Sequence, residues 1–112
     1  MKVLIVEDEG EQLSLVRDVL AKREVPESSI AVQNTVGSSL KVLKKHDFGL
    51  LLLSLDLENG NGLEILRSIA DDRVEPPLPV IVIAGSDSQE VAVEALKLGA
   101  HDYIDRSRLV EE

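Results

Sequence analysis

The 112-residue sequence has no cysteine and no tryptophan, and one phenylalanine and one tyrosine are its only aromatic side chains apart from two histidines. Without thiols there is no disulfide framework, no thiolate zinc site and no cysteine nucleophile. The near absence of rings leaves little for bases to stack on. Cations are scarce as well: 12 Lys and Arg stand against 21 Asp and Glu, a formal net charge of −9. A nucleic-acid backbone needs clustered Lys and Arg, so direct binding to it is excluded as a leading reading. His46 and His101 lie far apart and read as surface residues rather than ligands. No apolar run approaches the ~20 residues that cross a bilayer. The N-terminal stretch "MKVLIVEDEG" reaches acid by Glu7, too soon for the apolar region of a signal peptide. We therefore expect a cytoplasmic protein with no membrane span.

What is present suits a small globular domain, with 44% hydrophobic and 29% charged residues, an ordinary balance for that class. A chain of this length holds one core and buries roughly 65% of its unfolded surface, so residues 1–112 are expected to form a single domain. Five short apolar runs punctuate it: "VLIV" at 3–6, "IAV" at 30–32, "LLLLSL" at 50–55, "VIVIA" at 80–84 and "YI" at 103–104. The first, third and fourth are nearly continuous, as in parallel strands covered on both faces. Between the runs lie helical periodicities: Leu13, Val16 and Leu20; Val36, Leu40 and Leu43; Leu63, Leu66 and Ala70. A fourth helix is framed by Asp87 with Glu90, a capping-box-like start, and by Gly99 as its stop. Pro76 and Pro77 make residues 71–79 a turn-rich connection.

Strand–helix alternation of this kind builds a doubly wound α/β sandwich with right-handed crossovers. Sites in such folds gather at the carboxyl ends of the strands. Those ends carry Glu7-Asp8-Glu9, Ser54 to Gly62, Ala84-Gly85-Ser86-Asp87 and Asp105-Arg106. After the fifth strand only "RSRLVEE" remains, below the ~12 residues at which an isolated helix becomes even marginal. The expectation is a piece of a longer protein, or a domain with one face covered by a partner.

The segments "VLIVEDE", "NGLEIL", "PVIVIAG" and "LGAHDYI", in this order and spacing, resemble the receiver domain of bacterial two-component response regulators across essentially the whole chain. The resemblance implies a flavodoxin-like, five-stranded parallel sheet of order 2-1-3-4-5 with helices on both faces, the last helix here truncated or missing. It also implies five working groups. An aspartate ending the third strand attacks a phosphoryl group; two acids after the first strand help hold Mg²⁺; a Ser or Thr after the fourth strand and a Lys after the fifth clamp the phosphoryl oxygens.

Laid on that pattern, the acid pair is Glu7 and Asp8. The aspartate of the family precedes the loop glycine by eight positions, and counting back from Gly62 gives Ser54. The loop proline is replaced by Glu58, the hydroxyl position falls on Ala84, and the lysine position on Arg106. This points to a degenerate pseudo-receiver, with no enzymatic chemistry and no cofactor beyond weak Mg²⁺ at Glu7 and Asp8. Ser54 has no histidine placed as its base and reads as a small, hydrogen-bonded strand-end residue. Asp56 shares a strand face with Ser54 but lies about 6.5 Å further along, beyond the roughly 3–3.5 Å that attack requires. Arg106 is expected to pair with Asp8, Glu7 or Asp56 in the metal position, or else to point into solvent. Function is then expected through contact with a partner protein or adjacent domain. The resemblance places that contact around the fourth helix and fifth strand, at Val91, Glu94, Ala95, Leu98 and Tyr103, a face that could also support oligomers. The alternative is an active phosphoacceptor receiver using Asp56 or Ser54 with Mg²⁺. A small hydrolase ranks below both, because no nucleophile, base and oxyanion donors converge.

Overall fold

The structure, a computed structural model, describes residues 2–8, 10–57, 60–72, 78–85 and 89–109. In chain order it contains β1 (Val3–Val6), α1 (Glu11–Lys22), β2 (Ile30–Gln33), α2 (Val36–Lys45), β3 (Leu50–Ser54), β4 (Asp56–Leu57), β5 (Gly60–Asn61), α3 (Gly62–Asp72), β6 (Val80–Ala84), α4 (Gln89–Lys97) and β7 (Asp102–Asp105). Single 3₁₀ turns occupy Glu27–Ser29 and Arg106–Leu109. Five strands form one parallel sheet of order β2-β1-β3-β6-β7. This is the doubly wound order expected from the sequence, with β6 and β7 as its fourth and fifth strands. The unexpected element is a two-residue antiparallel hairpin, β4 with β5, directly after β3.

The continuous apolar runs become strands because both of their faces are covered. All four side chains of β1 are buried, as are Leu51, Leu52 and Leu53 of β3. Leu4, Val6, Leu51, Leu53, Val80 and Val82 face one side, against α3 and α4 and the partly buried stripe of α2. Val3, Ile5, Leu52 and Ile83 face the other, against Leu13, Val16 and Leu20 of α1. Fully burying each large aliphatic side chain contributes about 1.5–3 kcal/mol, before the entropy of ordering the chain is set against it. Ala70 departs from expectation. It is exposed, and Ile65 and Ile69 carry the inward stripe of α3 alongside Leu63 and Leu66.

Local signals set the helix ends. Thr35 caps α2 by accepting a hydrogen bond from the Ser38 N–H at 3.1 Å, the usual work of a threonine at that position. The Asn61 side chain does the same for α3, accepting from Leu63 N–H at 2.9 Å. Beyond α4 the chain turns at Gly99, whose φ of +114° suits glycine, and Ala100 N–H closes back on Ala95 C=O at 3.1 Å. The helix start assigned to Asp87 and the turn assigned to Pro76 and Pro77 lie outside the described residues. Among the described residues, no helix is long and apolar enough to cross a membrane.

Candidate functional site

Strand register decides which side chains meet. Val6 pairs with Leu53, Ser54 with Ile83, and Ala84 with Asp105. The residues following these pairs, Glu7, Leu55, Gly85 and Arg106, therefore emerge side by side at the carboxyl edge of the sheet. Parallel pairing continues one step past the strands, with Glu7 N–H on Gln33 C=O at 3.0 Å and Leu55 N–H on Ile83 C=O at 3.1 Å.

Glu7 and Ser54 lie at the bottom of this edge. Glu7 is 4% exposed and Ser54 0%. Burial pushes the Glu7 pKa above its ordinary value, because the charged form loses water. The adjacent Ser54 hydroxyl and the Arg106 guanidinium draw it partly back, while the Asp8 carboxylate raises it further. Glu7 Oε2, Ser54 Oγ and Arg106 Nε are buried atoms without a hydrogen-bond partner among the described residues. Ser54 is the small, buried strand-end residue expected, its hydroxyl set beside the Glu7 carboxyl. Ala84 is fully buried and offers no polar side-chain atom.

Asp56 stands where straight-strand geometry did not put it. The sheet strand ends at Ser54, Leu55 turns into the core at 3% exposure, and Asp56 opens the hairpin paired with Asn61. The chain no longer advances along the strand axis, so the expected offset of about 6.5 Å does not apply. The Asp56 carboxylate reaches instead across the ends of β6 and β7. Its Oδ2 accepts from Arg106 Nη2 at 3.2 Å and, more weakly, from Gly85 N–H at 3.4 Å. Of the three partners expected for Arg106, the ion pair forms with Asp56, the two side chains being partly exposed at 33% and 41%.

Two glycines hold the hairpin in place. At Gly62 a Cβ would sit 2.5 Å from the Ser54 carbonyl oxygen and 3.1 Å from Leu55 Cα. At Gly60, with φ +152°, a Cβ would meet Val36 Cγ2 of α2 at 2.7 Å. On the far side, Asp105 Oδ1 accepts from the Ser107 N–H at 3.0 Å and from its hydroxyl at 2.9 Å. These bonds, the backbone one foremost, hold the Asp105 carboxyl below the usual range. Among the described residues, no three His, Asp or Glu side chains group as metal ligands. Glu58 and residues 86–88 lie outside the described residues.

The expected contact surface is only partly a surface. Ala95 is fully buried against the sheet, because α4 approaches through its small residues Ala92 and Ala95, so it is withdrawn from that surface. Val91, Leu98 and Tyr103 are half-buried and pack on the core. Glu94 is exposed and pairs with Arg67 of α3 at 3.0 Å. The outward apolar residues are Val93 and Leu96, at 52% and 43% exposure, neither of which the sequence pattern singled out. Their i, i+3 spacing was visible, but Ala92 and Ala95 share it, and bulk alone would have ranked the wrong pair as core.

Residues 3–110 match the family model described as the response regulator receiver domain. Among curated proteins, the nisin biosynthesis regulatory protein NisR of Lactococcus lactis is 31% identical over 92% of this chain and 42% of its own length. An NtrX-like response regulator of Rickettsia bellii is 35% identical over 93% of this chain and 21% of its own length. The chain thus spans less than half of these relatives. Among solved structures, the receiver domain of NtrX from Brucella abortus superposes with a TM-score of 0.80 at 28% identity, covering 98% of this chain and 92% of that one.

Proposed function

The chain belongs to the response regulator receiver domain family, and from that premise we propose a signalling module that works without accepting a phosphoryl group, by contact with a partner protein or an adjacent domain. One observation carries this reading: at the end of β3, where the family resemblance places the phosphoacceptor, stands Ser54, fully buried and without a carboxylate. A serine needs a neighbouring base to act as nucleophile. The carboxyl beside it, Glu7, is itself buried, and among the described residues no histidine acts on it. Ala84 has no hydroxyl to clamp a phosphoryl oxygen. The cation after the last strand, Arg106, is already engaged by Asp56.

Mg²⁺ does not suit this donor set. It wants near-octahedral oxygen ligands with strong negative charge. Burial disfavours the charged form of Glu7, and the guanidinium of Arg106 brings a fixed positive charge to the same edge. No step of the proposed function passes through a metal. We put the contact surface on the outward side of α4, where Val93 and Leu96 are exposed and Glu94 pairs with Arg67. Apolar side chains rimmed by polar ones are the usual composition of a protein contact.

The test is covalent. Incubated with a small acyl phosphate and Mg²⁺, the intact protein should keep its mass. A stable gain of one phosphoryl group would overturn the reading, and its loss in Asp56→Ala or Ser54→Ala would name the residue that carries it.

A further inference from the structure

One oxygen of Asp56 receives a main-chain N–H from the segment after β6 and a guanidinium N–H from the residue after β7. A backbone donor and a fixed cation converging from two strand ends form a cradle for an anionic oxygen. Arg106 adds a third donor, its buried Nε, which has no partner among the described residues. These donors lie beside the floor formed by Ser54 and Ala84, both 0% exposed.

We infer that the Asp56 carboxylate is a built-in ligand of an anion cradle formed by Gly85 N–H and the Arg106 guanidinium. While bound there it ties the ends of β3, β6 and β7 together and keeps small oxyanions out. The inference rests on the phosphorylation-independent reading above and adds to it what regulates the site: the side chain holds the edge permanently in the arrangement that an incoming anion would otherwise have to produce. An internal carboxylate has the advantage of proximity, since it is delivered by the β4–β5 hairpin rather than drawn from solution. An external oxyanion competes only when the carboxylate is removed.

The experiment is a titration of inorganic phosphate, at constant ionic strength and without divalent metal, followed through backbone amide resonances. The wild type should show no saturable shifts at Gly85 or around Arg106. Asp56→Ala should show them, with affinity on the order of tenfold or more above the wild type, the scale set by freeing hydrogen bonds to a charged acceptor. Adding Arg106→Gln to Asp56→Ala should abolish the binding. Asp56→Asn, which keeps the shape and removes the charge, should fall between the two and guards against a folding defect in the alanine variant. Equal binding by wild type and Asp56→Ala overturns the inference, as does binding by neither or binding that survives loss of Arg106. Reversal on dilution, with unchanged mass, separates this result from covalent phosphorylation, which would defeat the proposed function instead.

Discussion

Replacing Ser54 by aspartate restores the carboxylate that the family pattern places there, and the structure says what this does to stability. The side chain is fully buried, beside a Glu7 that is 4% exposed and whose pKa burial already raises. An unpaired charge left in such a site costs about 3–5 kcal/mol. Arg106 stands close enough to bias Glu7 and offsets part of this, although Asp56 already engages it. The expected loss is therefore about 2–4 kcal/mol at neutral pH in chelator. The sign with pH follows from burial. The folded-state pKa of the introduced carboxyl would lie above its unfolded value of ~3.9, so the penalty is absent below that value and grows as pH rises through the folded pKa. Ser54→Asp also supplies the third acid that Mg²⁺ lacks in the wild type. The metal should then stabilise the variant, by ~2.7 kcal/mol at a hundredfold excess over its Kd, and leave the wild type unmoved. Urea unfolding of both proteins at several pH values, with chelator and with Mg²⁺, reads all of this. A variant as stable as the wild type in chelator across that range would show that the strand end is open to water. Equal stabilisation of both proteins by Mg²⁺ would show that Glu7 and Asp8 suffice to hold it.

Glu7→Gln removes a carboxyl whose folded pKa is raised, so it should stabilise the protein at pH 7 relative to the wild type. The advantage should shrink as pH falls and vanish below the ordinary value of 4.5; urea midpoints that diverge toward acid instead would mean that Glu7 is held charged. Gly62→Ala forces a methyl group to within 2.5 Å of the Ser54 carbonyl, and should cost about 1–3 kcal/mol by overpacking against rigid backbone. A thermal midpoint within error of the wild type would show that the hairpin is free to shift away from β3.

The five strands were legible because their apolar runs are short, largely continuous and punctuated by turn chemistry, the pattern of a doubly covered parallel sheet, while their order came from the family resemblance. Sites in such sheets lie at the carboxyl ends of the strands, so the gathering of Glu7, Ser54, Ala84 and Arg106 at one edge could be anticipated. The hairpin could not. Asp56 and Leu57 pair with Gly60 and Asn61 over only two residues, too short for any periodicity, and what fixes them is tertiary: Leu55 drawn into the core, Gly60 pressed on Val36, Gly62 on the end of β3. The misplacement of Asp56 followed from extending a straight strand through a point where the chain bends. Ala95, which the family resemblance put on the contact face, is buried because α4 packs on the sheet through its small residues. Helix–sheet distance is set by the smallest facing residues, and a hydropathy pattern does not rank an alanine above a valine for the inside.

The Asp56–Arg106 pair is partly exposed, and pairs of that kind usually contribute ~0–1 kcal/mol, because ordering two mobile side chains offsets the Coulomb gain. Here both ends are ordered before they meet. Asp56 is carried at the base of a hairpin, paired with Asn61, whose side chain in turn caps α3. Arg106 follows Asp105, whose carboxylate binds both the N–H and the hydroxyl of Ser107 and so folds the chain tightly as it leaves β7. The residue between Asp105 and Ser107 has little backbone freedom left, and its guanidinium is returned over the strand ends rather than released to solvent. Much of the ordering entropy that weakens surface pairs is thus already spent on local turns that form for their own reasons. That is why a half-wet ion pair can persist at this edge, and why the proposed anion cradle is tested at Asp56.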